Sequence, residues 1–318
     1  MMRQTRASTM AARAVAAVTP SPRKKQKVNH AETTPPSKQV KRRTLFSIKD
    51  NACTTEEVKQ LIHAFLPESS DTMSTHTLDG WCLIDGLKHC MQASNGILKD
   101  VIKKHGPPQY CLRYLQTGST NTGGDHDDGY QSYRSLCRIV TSQQLAGSAA
   151  TKIWERFLEL VGASKDDTAN LTPQAILSIV QNGNVEEDIR KPAGLSNAKV
   201  SSIIALSEAF MSGELSDDII ASASDLEASQ KLQNVKGIGP WSVDMFLLFE
   251  CHRKDIVPIG DLAFRNGTAK LWKVKGKGRN GALCPKKDKD LIESLHEPFS
   301  PYRSLSTYYM YKVVDEKK

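Results

Sequence analysis

The sequence predicts a mostly α protein. Three observations carry that expectation: apolar residues recur three and four apart through most of the chain beyond residue 45, β-branched alternation is scarce, and prolines and cap residues stand where helices would begin. The length of 318 residues allows one large or two modest domains. The hydrophobic share of 39% is low for a globular chain, so part of it is expected to be tail.

That tail comes first. Residues 1–45 are rich in Ala, Ser, Thr, Pro and Arg, show no apolar period and read as disordered. They hold eleven Lys or Arg and one acid, Glu32, so they carry +10 of a chain whose net charge is +8. The remaining 32 basic and 34 acidic residues leave the folded part at −2. A nucleic-acid partner would therefore meet a local patch, assisted by the tail, rather than a uniformly basic surface. One such patch spans 270–289, with eight basic residues and one acid, Asp288; a solvated loop is the plainer reading. Residues 22–28 and 41–43 read as nuclear-import patches. The first eighteen residues, with Arg3, Arg6 and Arg13 and no acid, also fit a mitochondrial presequence, so the nucleus, with the mitochondrion as a second address, is expected. The seven cysteines are scattered, without metal-type spacing, and suggest an intracellular protein with free thiols. No run approaches a membrane span.

From Phe46 onward the elements follow in order. Thr54 and Glu57 form a capping box ahead of Val58, Leu61, Ile62 and Phe65. Leu83, Ile84, Leu87 and Met91 mark a second helix, and Leu98, Val101 and Ile102 a third before Gly106. A polar, glycine-rich loop at 117–129 precedes Tyr133, Leu136, Cys137 and Val140 at helical spacing. Further helices are expected at 147–161, 173–182, 197–212, 225–234, 240–252, 262–272, 288–296 and 302–313. Pro173 and Pro240 sit at first helical positions. Only 255–258 reads as extended.

Chemistry concentrates at residues 232–243, which hold Gly237 and Gly239 between two apolar helices, and at Asp261 beyond them. Two glycines two apart make a tight hairpin with a bare backbone that a ligand can approach closely. Its N–H groups and the start of the next helix suit an anion such as a phosphate. Taken alone, the glycines equally fit an ordinary helix-linking turn, and Asp261 an ordinary N-cap of the helix at 262–272. The two roles of Asp261 are compatible, because amide dipoles at a helix start favour an anion.

Residues 232–243 resemble the helix–hairpin–helix signature, and Gly260 and Asp261 match the place of the catalytic aspartate in the helix–hairpin–helix (HhH-GPD) DNA glycosylase superfamily. Three other segments agree in order: residues 133–150, with Gln143, Gln144 and Leu145; residues 194–199, with Gly194, Leu195, Ser196 and Lys199; and residues 301–304. Together they are similar to the 3-methyladenine DNA glycosylase II branch over residues 80–313. The resemblance implies a two-lobed helical fold with the active site in the cleft between the lobes. The expected organisation is a tail at 1–45, an extension of unassigned role at 46–78 and a catalytic domain at 79–313.

The resemblance further implies a monofunctional enzyme that flips an alkylated purine, such as N3-methyladenine or N7-methylguanine, out of damaged duplex DNA and leaves an abasic site for downstream repair enzymes. Asp261 would stabilise the oxocarbenium-like sugar and orient or deprotonate water. Trp241, Met245, Tyr133 and Trp272 are candidates for the base pocket, with Phe264 behind them; core packing is the rival reading for Met245 and Phe264. Met245 stands where some relatives place an aromatic. Gly237, Gly239, Lys236 and Ser242 would hold phosphate. Gln143, Gln144 and Leu145 form the loop from which Gln144 or Leu145 would wedge into the vacated stack, or else a plain turn. Lys199 would contact phosphate or stay solvated. Tyr302 and Arg303 are expected to brace the fold or the loop before Asp261 rather than touch substrate, and Asp244 to face solvent or a basic partner. Strand-cleaving relatives carry a lysine where Trp241 stands, which argues for simple hydrolysis. The carbonyls of Gln233, Val235 and Gly237 would hold a structural Na+ or K+; no redox or catalytic metal cofactor, no membrane and a monomer are expected. A glycosylase for deaminated, etheno or oxidised bases and a non-catalytic DNA-binding module are the alternatives.

Overall fold

A computed structural model describes residues 53–65, 77–78, 81–93, 96–112, 128–145 and 147–316. The expectations for the tail, for the start of the extension and for most of the loop at 117–129 lie outside these residues. The described chain is helical apart from a two-residue antiparallel hairpin pairing Thr77 with Cys82 and Leu78 with Trp81. The stretch at 255–258 is a turn and irregular chain, without a strand partner. All seven cysteines are free thiols. Among the described residues no helix is long and apolar enough to cross a membrane.

Two hydrophobic cores organise the helices. The first collects α4 (Gln131–Ser142), α5 (Gly147–Glu159), α6 (Pro173–Asn182), α7 (Asn197–Met211), α8 (Asp217–Ser222), α9 (Asp225–Asn234) and α10 (Pro240–Phe249) around Leu136, Phe157, Leu206, Val243 and Phe246. The second joins the two ends of the described chain. It packs α1 (Thr55–Ala64), α2 (Leu83–Ala93) and α3 (Ile97–His105) with α11 (Leu262–Trp272), α12 (Lys289–His296) and α13 (Arg303–Asp315) around Leu87, Ile102, Phe264 and Tyr309. Each such side chain, removed from water, contributes about 1.5–3 kcal/mol. The division expected at 78/79 does not mark a break in packing: Val58, Ile62 and Leu78 are buried in the second core with Leu83 and Leu98.

Helix ends follow the sequence closely. Thr54 and Glu57 close their capping box, with the Glu57 amide donating to Thr54 Oγ1 and the Thr54 amide to Glu57 Oε2. Thr172 caps α6 ahead of Pro173, and Ser224 with Glu227 boxes the start of α9. A π-helical turn, Val185–Arg190, and α8 appear where no apolar period announced them. Helices α11 and α13 touch at Gly267, where a Cβ would lie 2.1 Å from the Met310 carbonyl oxygen. Phe249 and Tyr311 pack against both cores, so α10 and α13 line the junction between them.

Candidate active site

The hairpin is built from the inside. Val235 and Ile238 are buried and pin the turn between α9 and α10. Gly237 adopts φ +85°, and a Cβ there would lie 1.8 Å from Ser202 Oγ on α7. No side chain can stand at that position without moving the turn. Gly239 differs: a Cβ would meet nothing within 4 Å. It is the N-cap of α10 and makes no side-chain cap hydrogen bond. Pro240 follows at the first helical position. The first amides of a helix have no intrahelical acceptor, so this end can receive an anion. Lys236 and Gly237 are exposed beside it. The loop at 143–145 is tied to the hairpin through Gln143, whose Nε2 donates to the Gly237 carbonyl at 3.2 Å and to Ser242 Oγ at 2.9 Å.

Asp261 is the N-cap of α11, its Oδ1 accepting from the Phe264 amide at 2.7 Å. Its Oδ2 accepts from Trp241 Nε1 at 2.8 Å, which joins the aspartate to the helix that leaves the hairpin. Each oxygen thus receives an N–H donor, an arrangement suited to a carboxylate. The backbone leading to Asp261 is pinned by Arg265, which donates to the carbonyls of Ile259, Gly260 and Leu283. Farther back, Arg303 grips Asp255 through Nε at 2.8 Å and a terminal nitrogen at 2.7 Å.

Two side chains complete the cluster. Asp244, three residues after Trp241 on α10, does not face open solvent as its sequence position suggested. Burial and the nearby Asp261 carboxylate push its pKa up to about 7. Tyr311 of α13 sets its hydroxyl 3.9 Å from Met245 Sδ. Burial first, then the Asp261 and Asp244 charges, push its phenol above the ordinary range. Sequence spacing gave no sign of Tyr311; it reaches the site only because Gly267 lets α13 lie against α11. The aspartates, the indole, the thioether and the phenol therefore gather at the junction of the two cores, beside the hairpin.

The model of the HhH-GPD superfamily of base excision DNA repair proteins matches residues 137–289. That span holds the hairpin, Asp244 and Asp261. Nearly half of the chain is thus similar to this superfamily. A DNA-3-methyladenine glycosylase of Schizosaccharomyces pombe is 29% identical over 184 residues, covering 57% of this chain and 72% of that protein. A DNA-3-methyladenine glycosylase of Saccharomyces cerevisiae is 28% identical over 238 residues, covering 64% and 72%. The solved structure of the Schizosaccharomyces pombe 3-methyladenine DNA glycosylase in complex with abasic DNA is 28% identical, covers 67% of this chain and 95% of that one, and has a TM-score of 0.47.

In the structure several expected site residues lie elsewhere. Tyr133 is fully buried in the first core, hydrogen-bonded through its hydroxyl to Ser207 Oγ and packed edge-on against Phe210. Phe264 is fully buried in the second core against His296. Trp272 ends the 11-residue α11, about 16 Å along the axis from Asp261, and packs on His296 and Phe299. Burial drew these rings into the cores, and none reaches Asp261. The Ser242 hydroxyl is buried and turned to Gln143 rather than outward. Lys199 donates its ammonium to the Thr141 carbonyl at 2.8 Å, at the end of α4, and burial lowers its pKa. Gln144 takes a left-handed φ of +59°, and Leu145 is exposed at the loop. Of the carbonyls assigned to a cation, Val235 O accepts from the Ile238 amide and Gly237 O from Gln143. Each keeps a second lone pair, so the trio with Gln233 still fits a weakly held monovalent ion. In the basic run, Asp288 turns inward to accept from the amides of Lys277 and Cys284.

Proposed function

We propose that this protein is a monofunctional glycosylase of base excision repair that hydrolyses the N-glycosidic bond of alkylated purines in duplex DNA. The relatives are named for 3-methyladenine; here N3-methyladenine and N7-methylguanine are the proposed substrates. The observation that carries the reading is Asp261, held through both oxygens at the junction of the cores by Phe264 N–H and Trp241 Nε1.

The chemistry follows from that carboxylate. Extruding a nucleotide costs a few kcal/mol, offset by contacts in the pocket and on the backbone. The Gly239 end of α10, with Lys236, would grip a phosphate next to the lesion, which fixes position without reading sequence. A Na+ or K+ on the carbonyls of Gln233, Val235 and Gly237 would add positive charge at that grip. Leu145 or Gln144 would fill the gap in the stack. The ring of an alkylated purine is electron-poor and packs on Trp241 and Tyr311. As the bond to C1′ lengthens, positive charge grows on the sugar, and Asp261 stabilises it and accepts a proton from the attacking water. Trp241 occupies the place where a strand-cleaving enzyme needs an amine, so the product is an abasic site, left for downstream repair enzymes. The patches at 22–28 and 41–43 support a nuclear enzyme, and Arg3, Arg6 and Arg13 a second pool in mitochondria; it would act as a monomer.

The test is release of free base from methylated duplex DNA by the wild type and by Asp261→Asn. Asparagine caps a helix as well as aspartate does. The variant should therefore fold and bind DNA while losing at least a hundredfold in turnover. No release of methylated purine by the wild type would overturn the reading, and a borohydride-trapped covalent complex would overturn its monofunctional part.

A further inference from the structure

We propose that Asp244 is the proton donor to the departing base, and that it opens the site to damaged bases that carry no positive charge. This rests on the glycosylase reading above.

The geometry is particular. Asp244 follows Trp241 by three residues on α10, so the two share a helix face. That face also carries Met245, which meets Tyr311. Asp244 is neither sunk in a core nor open to bulk water; it is half-buried on the wall of the junction. No hydrogen bond or ion pair occupies its carboxyl among the described residues. The titratable groups facing it are Asp261, from the start of α11, and Tyr311, from α13. No Lys, Arg or His offsets the aspartate.

Two carboxyl groups in one half-buried site do not both ionise easily. Here the proton's place is decided by the donors. Asp261 receives two N–H groups, and Asp244 receives none. Asp244 is accordingly the partner that holds a proton, with a pKa of about 7 caused by burial first and the Asp261 charge second. An acid without donors beside a carboxylate that receives two is the pattern of an acid and a base sharing one reaction.

An alkylated purine has no need of the acid. It bears a positive charge and leaves as a neutral base. Hypoxanthine is uncharged and would leave as an anion. With Asp244 protonated, the step balances: the C1′–N bond breaks and its electron pair goes to the base; the carboxyl proton of Asp244 passes to a ring nitrogen. Water oxygen bonds to C1′, and its proton passes to Asp261. The base departs neutral, and the two aspartates re-equilibrate their proton with solvent.

The test measures single-turnover release of hypoxanthine and of N7-methylguanine from duplex DNA between pH 5.5 and 9, for the wild type and Asp244→Asn. Wild-type release of hypoxanthine should fall above pH 7, approaching tenfold per unit, while N7-methylguanine release lacks that limb. Asp244→Asn should slow hypoxanthine release at least ten times more than N7-methylguanine release and should flatten the alkaline limb. The proposal is overturned by N7-methylguanine release without hypoxanthine release at pH 6, by equal pH dependence for both lesions, or by equal losses with the limb intact. Release of neither base by the wild type removes the glycosylase reading itself. Should Asp244→Asn fail to fold, the two wild-type pH profiles decide.

Discussion

Trp241 Nε1 donates to Asp261 Oδ2 across 2.8 Å, so the helix that leaves the hairpin also holds the aspartate on which the proposed chemistry rests. A shift of the hairpin is thereby a shift of the carboxylate. Hydrogen bonds to a charged group contribute about 1.5–3 kcal/mol, which corresponds to roughly ten- to a hundredfold in rate if they hold the reactive geometry. Trp241→Phe keeps an aromatic face and removes the donor. It should lose base release by that factor while binding abasic DNA nearly as tightly as the wild type. An unchanged rate in single-turnover kinetics would mean that the indole only packs.

The two hairpin glycines should answer differently to alanine. At Gly237 the left-handed φ of +85° and a Cβ 1.8 Å from Ser202 Oγ both oppose a side chain. The backbone strain alone costs about 1–2 kcal/mol, so the melting temperature of Gly237→Ala should fall by several degrees. At Gly239 nothing within 4 Å obstructs the added methyl. Gly239→Ala should melt within a degree or two of the wild type yet bind duplex DNA more weakly, since the methyl stands where the phosphate would approach. Equal affinity for DNA in a fluorescence titration would remove the phosphate contact from Gly239.

What the sequence made legible was local. Periodicity and caps located α1 to α7 and α9 to α13 to within a few residues, because Thr54, Thr172, Ser224 and Asp261 write their helix starts into the chain. The hairpin and Asp261 were legible for the same reason: both are short motifs. What failed was everything decided by packing between distant segments. Tyr133, Phe264 and Trp272 are aromatic in sequence and core in space. Tyr311 enters the site through a contact at Gly267 that no spacing announces. Asp244 differs from a surface acid because it is half-buried, with Asp261 of α11 and Tyr311 of α13 near it. Residues 46–78 were set apart as an extension, yet α1 within them joins a core whose other half lies beyond residue 260.

Buried histidines should make stability fall in mild acid. His296 is fully buried between Thr268 Oγ1 and Ser306 Oγ, and burial, with Arg303 nearby, lowers its pKa to about 3. Unfolded, it titrates near 6.5, so below that pH the unfolded chain binds the proton and the folded chain refuses it. The stability it contributes is present above about 6.5 and is lost as pH falls. From pH 6.5 to 5 the loss is about 1.5 kcal/mol. His252, held at about 4 by burial, adds in the same direction, whereas Asp244, raised to about 7, opposes both. The His296 share is therefore read as a difference: the gap in unfolding free energy between wild type and His296→Gln should narrow by about 1.5 kcal/mol over this window. A gap independent of pH would contradict a neutral buried His296.

Arg303 and Asp255 offer the opposite sign at lower pH. Arg303 takes both oxygens of Asp255 in a two-pronged grip, and its own amide donates to Oδ1 as well. Burial alone would raise the Asp255 carboxyl, but the Arg303 bonds outweigh it and hold the pKa below the ordinary value. A depressed carboxylate contributes stability that is present above its unfolded pKa of about 4 and is lost as pH falls through the folded value. Both side chains remain partly exposed, at 26% and 21%, so the pair is worth less than a fully buried one. Arg303→Ala should cost about 1–2 kcal/mol in urea denaturation at pH 7, and less as pH drops below 4. Arg303→Lys keeps the charge without the fork and should recover only part of the loss. Because Asp255 opens the segment that ends at Asp261, base release should slow in Arg303→Ala before DNA binding weakens. A stability cost that stayed constant from pH 7 to pH 3 would show that Arg303 acts by packing its stem, not by holding the carboxylate.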